Sequence, residues 1–189
     1  MKGYSLLSGI FFSLFFFNCQ IQMEKKRTIE DGLLSVELEE YQSKEYKFSI
    51  DYPKEWRILN GNEDVIFVAK MVRDSLNRNF QNTIHITKLL ENNSSEVSLN
   101  DIVEANINDM VNSFDDFKII TKEETFINQF PAIRAKCQFS ANGVNIMTIM
   151  YFVKAKDYVY LIGLSESSNN LTNYEMVYDF IANSFRSDG

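Results

Sequence analysis

Histidine occurs once in this chain of 189 residues, proline twice, cysteine twice and glycine seven times, and each scarcity closes off a class of protein. Two cysteines cannot build a disulfide-dense scaffold or a four-thiolate zinc site. The one histidine, His85, leaves little for proton transfer near neutral pH and cannot form a His-x-x-x-His metal motif. The glycines are scattered, so there is no phosphate-cradling loop and no G-x-S-x-G elbow. Basic residues are outnumbered, 19 Lys and Arg against 26 Asp and Glu, and form no extended block. Nucleic acid, whose binding rests on neutralising phosphates, is thereby excluded as a partner. No cofactor is implied, and no residue stands out as catalytic or metal-binding.

What the chain has is apolar and aromatic matter: 45% hydrophobic residues, with sixteen phenylalanines. That is too much for a disordered chain. A domain of about 150 residues buries roughly 70% of its unfolded surface and can hold a core without staples.

The phenylalanines are unevenly placed. Phe11, Phe12, Phe15, Phe16 and Phe17 fall together near the start, in an apolar run from Leu6 to Phe17 that follows a single charge, Lys2. A basic start followed by an apolar stretch of about a dozen residues is the layout of a secretory signal, and falls short of the ~20 needed to span a bilayer. Asn18-Cys19-Gln20 ends the run, and the chain turns polar at Glu24-Lys25-Lys26-Arg27. This resembles the lipobox of bacterial lipoproteins, whose cysteine becomes the acylated N-terminus. Phe16 and Asn18 stand where that pattern usually has Leu and a small residue, closer to the relaxed lipoboxes of spirochaetes. Lipidation at Cys19 is the expectation, with residues 1–18 as signal peptide and the protein anchored to a membrane of the bacterial cell envelope, inner or outer. Removing residues 1–18 takes away Lys2, leaving 18 basic and 26 acidic groups, a charge of −8. That sign argues against the domain lying on anionic lipid by charge.

Residues 19–43, with three basic and six acidic groups after Cys19, read as a lipidated flexible tether, though Leu33 to Val36 has the pattern of a short strand or helical turn. From residue 44 onward the pattern is orderly. Tyr46 to Tyr52 alternates as a half-buried strand stopped by Pro53. Val65 to Met71 and Val144 to Val153 are apolar on both parities, as strands covered on both faces are. Thr83 to Thr87 is another strand, which places His85 with Thr83 and Thr87 on a sheet surface. Ser98 and Asp101 approximate a capping box for a helix with Leu99, Ile102, Val103, Asn106, Met110, Val111 and Phe114 on one face. Phe117 to Thr121 and Glu124 to Phe126 are extended, and a turn falls at Asn128-Gln129. In the following strand Ile133, Ala135, Cys137 and Phe139 share one face and Arg134, Lys136 and Gln138 the other, making Cys137 a small core residue rather than a nucleophile. Asn142-Gly143 between apolar runs signals a hairpin. Tyr158 to Leu164 is a last strand, and Leu171, Tyr174, Val177, Tyr178 and Ile181 mark a second helix. Hairpin-linked strands with segregated helices give an α+β fold, an antiparallel β-sheet flanked by helices.

Specific residues add a family. Phe48-Ser49-Ile50-Asp51-Tyr52-Pro53-Lys54-Glu55-Trp56 resembles the F-x-I-x-Y-P-x-x-W opening of PsbP-like domains. Thr125 to Ala132 is similar to that family's I-N-G-x-P-A turn, with Gln129 in place of Gly, and Asn183-Ser184-Phe185-Arg186 resembles its S-F ending. The resemblance covers about residues 44–187 and implies the PsbP/Mog1-like α/β/α sandwich, whose members, DcrB-type envelope lipoproteins among them, bind other proteins rather than catalyse. Fold analogy is weak warrant for a particular function.

Asp115-Asp116 and Glu123-Glu124 are paired carboxylates that an extended chain points apart, so they read as solvated surface. Asn92-Asn93-Ser94 and Asn170-Leu171-Thr172 read as loops, and Trp56 as core. Arg73 to Asn79 is the candidate recognition loop. The leading expectation is a non-enzymatic, membrane-tethered envelope lipoprotein that binds another protein. The alternative is a carrier of a small hydrophobic ligand, with a cavity lined by residues such as Phe67, Met147, Met150 and Phe152. A hydrolase or metal enzyme using His85 is the third.

Overall fold

Tight turns set the topology. In the computed structural model Asn142 and Gly143 have φ of 52° and 74°, the left-handed pair whose twist matches that of antiparallel strands. They join β8 (Phe130–Ala141) to β9 (Val144–Lys154). Asn128, at φ 52°, turns β7 (Asp115–Ile127) back into β8. A third turn closes with the Ala155 N–H donating to the Tyr158 carbonyl at 3.0 Å and leads into β10 (Tyr158–Ser167). The structure describes residues 27–31, 34–72, 82–91, 97–167 and 171–187. Cys19, the segment before it, the Arg73–Asn79 stretch and Asn92-Asn93-Ser94 lie outside the described residues.

These hairpins belong to a seven-stranded antiparallel sheet in the order β4-β5-β6-β10-β9-β8-β7, with β4 Trp56–Leu59, β5 Val65–Met71 and β6 Thr83–Glu91. Helix α1 (Leu99–Ser113) covers one face, where Val103 and Ile107 pack on Ile133, Ala135, Cys137, Met150 and Phe152. Helix α2 (Leu171–Ser184) covers the other, together with a four-stranded sheet β1-β2-β3-β11. Its strands are β1 Arg27–Asp31, β2 Leu34–Ser43, β3 Phe48–Pro53 and β11 Arg186–Ser187. Phe48, Ile50, Ile84, Ile162, Val177, Tyr178, Ile181 and Phe185 form the core on that side. The α+β class and the antiparallel sheet flanked by helices are as expected.

Three local expectations change. The folded unit begins before residue 44, because β2 pairs with β3 from Leu38↔Pro53 to Ser43↔Phe48. The charge that resembles a linker is instead used on the strand. Tyr52 donates to Glu39 at 2.9 Å, Lys54 meets Glu37 at 3.1 Å, and Leu38 is buried. The two extended pieces between Phe117 and Phe126 are one strand, β7, carrying register shifts at 115/118 and 119/121 that break its alternation. The short strand β4 has too few residues to show a period. On α1 the Ser98 cap forms, its hydroxyl accepting from the Asp101 N–H at 3.1 Å. Ile107 is buried there and Val111 is 52% exposed.

The three motifs that carry the family resemblance converge. The Asp51 N–H donates to Ser184 Oγ at 2.8 Å, and Phe48 stacks on Phe185 at 5.9 Å. Asn128 Nδ2 donates to the Phe185 carbonyl at 2.5 Å and to the Asn183 carbonyl at 3.3 Å, receiving carbonyls that α2 leaves open at its end. The left-handed residue of this turn is Asn128, so Gln129 has no need to be glycine. Asn128→Ala should cost about 1–3 kcal/mol, from a left-handed Cβ and two lost hydrogen bonds. Asn128→Gly should lose less. Urea midpoints of the two variants check this, and equal losses would show that backbone strain contributes nothing.

Candidate functional site

The residues nominated for a ligand cavity do not meet. Phe67 is in the core under α2, and Met150 and Phe152 are in the core under α1, with the sheet between. The nominated histidine also moves. His85 is half-buried with its ring against the next strand, where Gly163 is its register partner. A Cβ at Gly163 would come within 2.1 Å of His85 Cε1. The ring occupies the space that glycine leaves on the sheet, and burial lowers its pKa from 6.5 to about 4. A lone glycine inside a strand pattern is the sequence signal for such a close approach. Cys137 is fully buried, as its period-two pattern requires, and burial pushes its thiol up to about 11. Trp56 is buried in the core. Among the described residues no group of three or more His, Cys, Asp or Glu could hold a metal ion. No described helix is long and apolar enough to cross a membrane.

A different set of residues forms a site. The side chains of Arg134 and Lys136 lie on the α2 face of β8 rather than in solvent, and α2 supplies their partners four residues apart. Arg134 Nη2 donates to Glu175 at 2.7 Å and to Asp179 at 3.2 Å, and Lys136 donates to Glu175 at 2.7 Å. Arg134 Nε donates to the Tyr151 hydroxyl at 3.0 Å, and that hydroxyl donates to Asp179. Glu123 on β7 sits 3.5 Å from the same guanidinium. Arg134 is 13% exposed, while its partners Asp179 and Glu123 are 41% and 60% exposed, so this network ties β7, β8, β9 and α2 together at the surface around a largely covered guanidinium.

Above the network lies an open cleft of about 350 Å³, floored by Arg134 and Tyr151 and walled by Asp179 and Asn183 of α2. Glu123, Thr125 and Ile127 close it from β7, and Phe126, 65% exposed, lies at its rim. Burial opposes the Arg134 charge, but hydrogen bonds to Glu175 and Tyr151 and the Asp179 carboxylate outweigh it and hold the pKa above its usual value. Burial raises the Tyr151 phenol, and the hydrogen bond to Asp179 raises it further. Burial works against the Glu175 carboxylate, yet Lys136 and Arg134 hold it below the usual range. The arginine therefore stays charged and the phenol stays protonated across physiological pH. Such an arrangement holds shape and presents a polar pocket with an apolar lip, and its tyrosine is poorly suited to proton transfer. The sequence signal was faint: two cations on a strand whose neighbours are apolar.

Comparisons with known proteins agree with the fold. A family model described as PsbP-like protein matches residues 15–187. The solved structure of cyanobacterial PsbP from Synechocystis is 14% identical, with a TM-score of 0.57 over 84% of this chain and 97% of that one. The Ran-binding protein Mog1p of Saccharomyces cerevisiae is 12% identical, with a TM-score of 0.57 over 81% of this chain and 96% of its own. LpqN, involved in cell envelope biogenesis of Mycobacterium tuberculosis, is 13% identical, with a TM-score of 0.56 over 78% and 90%. No curated protein matches the sequence.

Proposed function

We propose that this chain, which belongs to the PsbP-like family, is a non-catalytic envelope protein held to a membrane through lipid on Cys19, and that it binds another protein at the cleft between β7 and α2. The observation that carries the binding role is Phe126, a large apolar side chain 65% exposed at the rim of a pre-ordered cleft. An aromatic beside a walled pocket is the usual anchor of a protein interface. The charges beneath are already paired, so a partner need not neutralise them. Similar folds point the same way, one named as a Ran-binding protein and one as involved in envelope biogenesis. The anchor rests on Lys2, the apolar run Leu6 to Phe17 and Cys19 at its end.

Two measurements test the two halves. Metabolic palmitate should label the wild type and fail to label Cys19→Ser, which should accumulate as an unprocessed precursor. Unchanged labelling of the variant would sink the anchor. A photocrosslinking residue at Phe126 should trap a discrete partner in the native envelope, and one at Val111, on α1, should not. Equal adducts from both positions would remove the cleft from the binding role.

A further inference from the structure

Helix α2 buries Val177, Tyr178, Ile181 and Ala182 and leaves Met176 60% and Phe180 45% exposed. The exposed pair is four residues apart, so it forms one stripe pointing away from the core. The first strand of the fold, β1, lies against this same helix. Arg27, where β1 begins, stands eight residues after Cys19. At about 3.3–3.6 Å per residue, eight residues reach less than about 30 Å, roughly the width of a small domain. A domain leashed this closely cannot float clear of the bilayer, and the helix beside its point of entry is the one with unburied apolar side chains.

Resting on the lipid anchor of the proposed function, we infer that the Met176–Phe180 stripe of α2 is a membrane-docking face, seated on the bilayer that holds the Cys19 acyl chains. The contact is apolar rather than electrostatic. The chain from Cys19 onward has a charge of −8 (18 basic less 26 acidic groups), and Glu175 and Asp179 on the helix are engaged with Arg134 and Lys136. Neutral lipid therefore suits this face better than anionic lipid. The cleft, walled by Asp179 and Asn183, opens on the flank of the helix and stays accessible along the membrane plane.

The test uses the full acylated protein in phosphatidylcholine vesicles with brominated acyl chains. An environment-sensitive fluorophore is attached to Met176→Cys, Phe180→Cys or, on α1 across the sheet, Val111→Cys. Cys137 is buried and does not compete for the label. Emission from positions 176 and 180 should fall about two-fold, as expected for side chains at the headgroup–acyl boundary, with position 111 unchanged. Replacing a third of the lipid with phosphatidylglycerol should weaken the quenching. Quenching equal at all three positions, or absent at 176 and 180 in a protein that carries palmitate, overturns the docking face alone. Transfer between fluorophores that vanishes on dilution would assign the face to a second copy and also overturn it. A wild type with no palmitate overturns the anchor reading and this inference with it.

Discussion

Phe185→Ala is expected to destabilise the protein by about 3–5 kcal/mol, the cost of emptying a buried aromatic site that cannot collapse. Phe185 is fully buried, stacked on Phe48 at 5.9 Å and edge-on to Tyr160 at 5.1 Å. It follows the last residue of α2, and its own N–H donates to the Ala182 carbonyl while its carbonyl accepts from Asn128. Three separate pieces of chain therefore close on one residue: β3 through Phe48 and β10 through Tyr160 at its ring, and the β7–β8 turn through Asn128 at its backbone carbonyl. Each aromatic contact adds about 0.5–1.5 kcal/mol to the burial itself. A domain of this size should lose about 10 °C or more in Tm. Phe185→Leu should recover much of the loss, since it keeps volume but not the ring contacts. If Phe185→Ala shifted the urea midpoint by no more than an exposed substitution such as Phe180→Ala, the convergence of the motifs on this ring would have no energetic weight.

That convergence explains why the sequence speaks about fold more clearly than about function. Phe48, Ile50, Tyr52, Pro53, Trp56, Asn128, Ser184 and Phe185 are recognisable because the fold needs each in place, and the contacts they make are within the fold's own core and turns. A pattern built on such residues identifies a way of packing and is silent about a partner. The strands of period two were legible for the same reason: β8 alternates because one side faces α1 and the other faces α2 and its ion network. β2 was not legible, since its glutamates are matched by Tyr52 of β3 and by Lys54 just beyond it, and pairing across strands leaves no mark on a single strand. The cleft was less legible still. Its floor comes from β8 and β9 and its wall from α2, with Asp179 standing 45 residues beyond Arg134 and 28 beyond Tyr151, and the ion pairs that shape it depend on a helix position set only by the finished core.

His85 leads to the second large effect, a loss of stability in mild acid. Its pKa is lowered from 6.5 to about 4 in the folded protein, so between these values the unfolded chain binds a proton that the folded chain refuses. Stability from this group is therefore complete above about pH 6.5, falls as pH drops, and stops falling below about pH 4. The difference of roughly 2.5 units corresponds to about 3 kcal/mol. The surroundings supply no compensating charge in register, where Val68 and Gly163 are the neighbours and Thr83 and Thr87 flank it on its own strand. Because it is the one histidine in the chain, its imidazole can be followed alone by NMR, and the folded protein should titrate near 4 rather than 6.5. Glu175 and Asp157, both held below their ordinary carboxylate values by basic partners, lose their contribution only at lower pH and so stay outside the His85 window. His85→Gln should flatten the slope in that window whatever it does to stability at neutral pH. Gly163→Ala gives the converse. Its methyl group must displace the ring, and a displaced ring regains water, so the imidazole pKa should climb back toward 6.5 while stability at pH 7 falls. An imidazole still titrating near 4 in Gly163→Ala would mean that Gly163 does not make the space that buries His85.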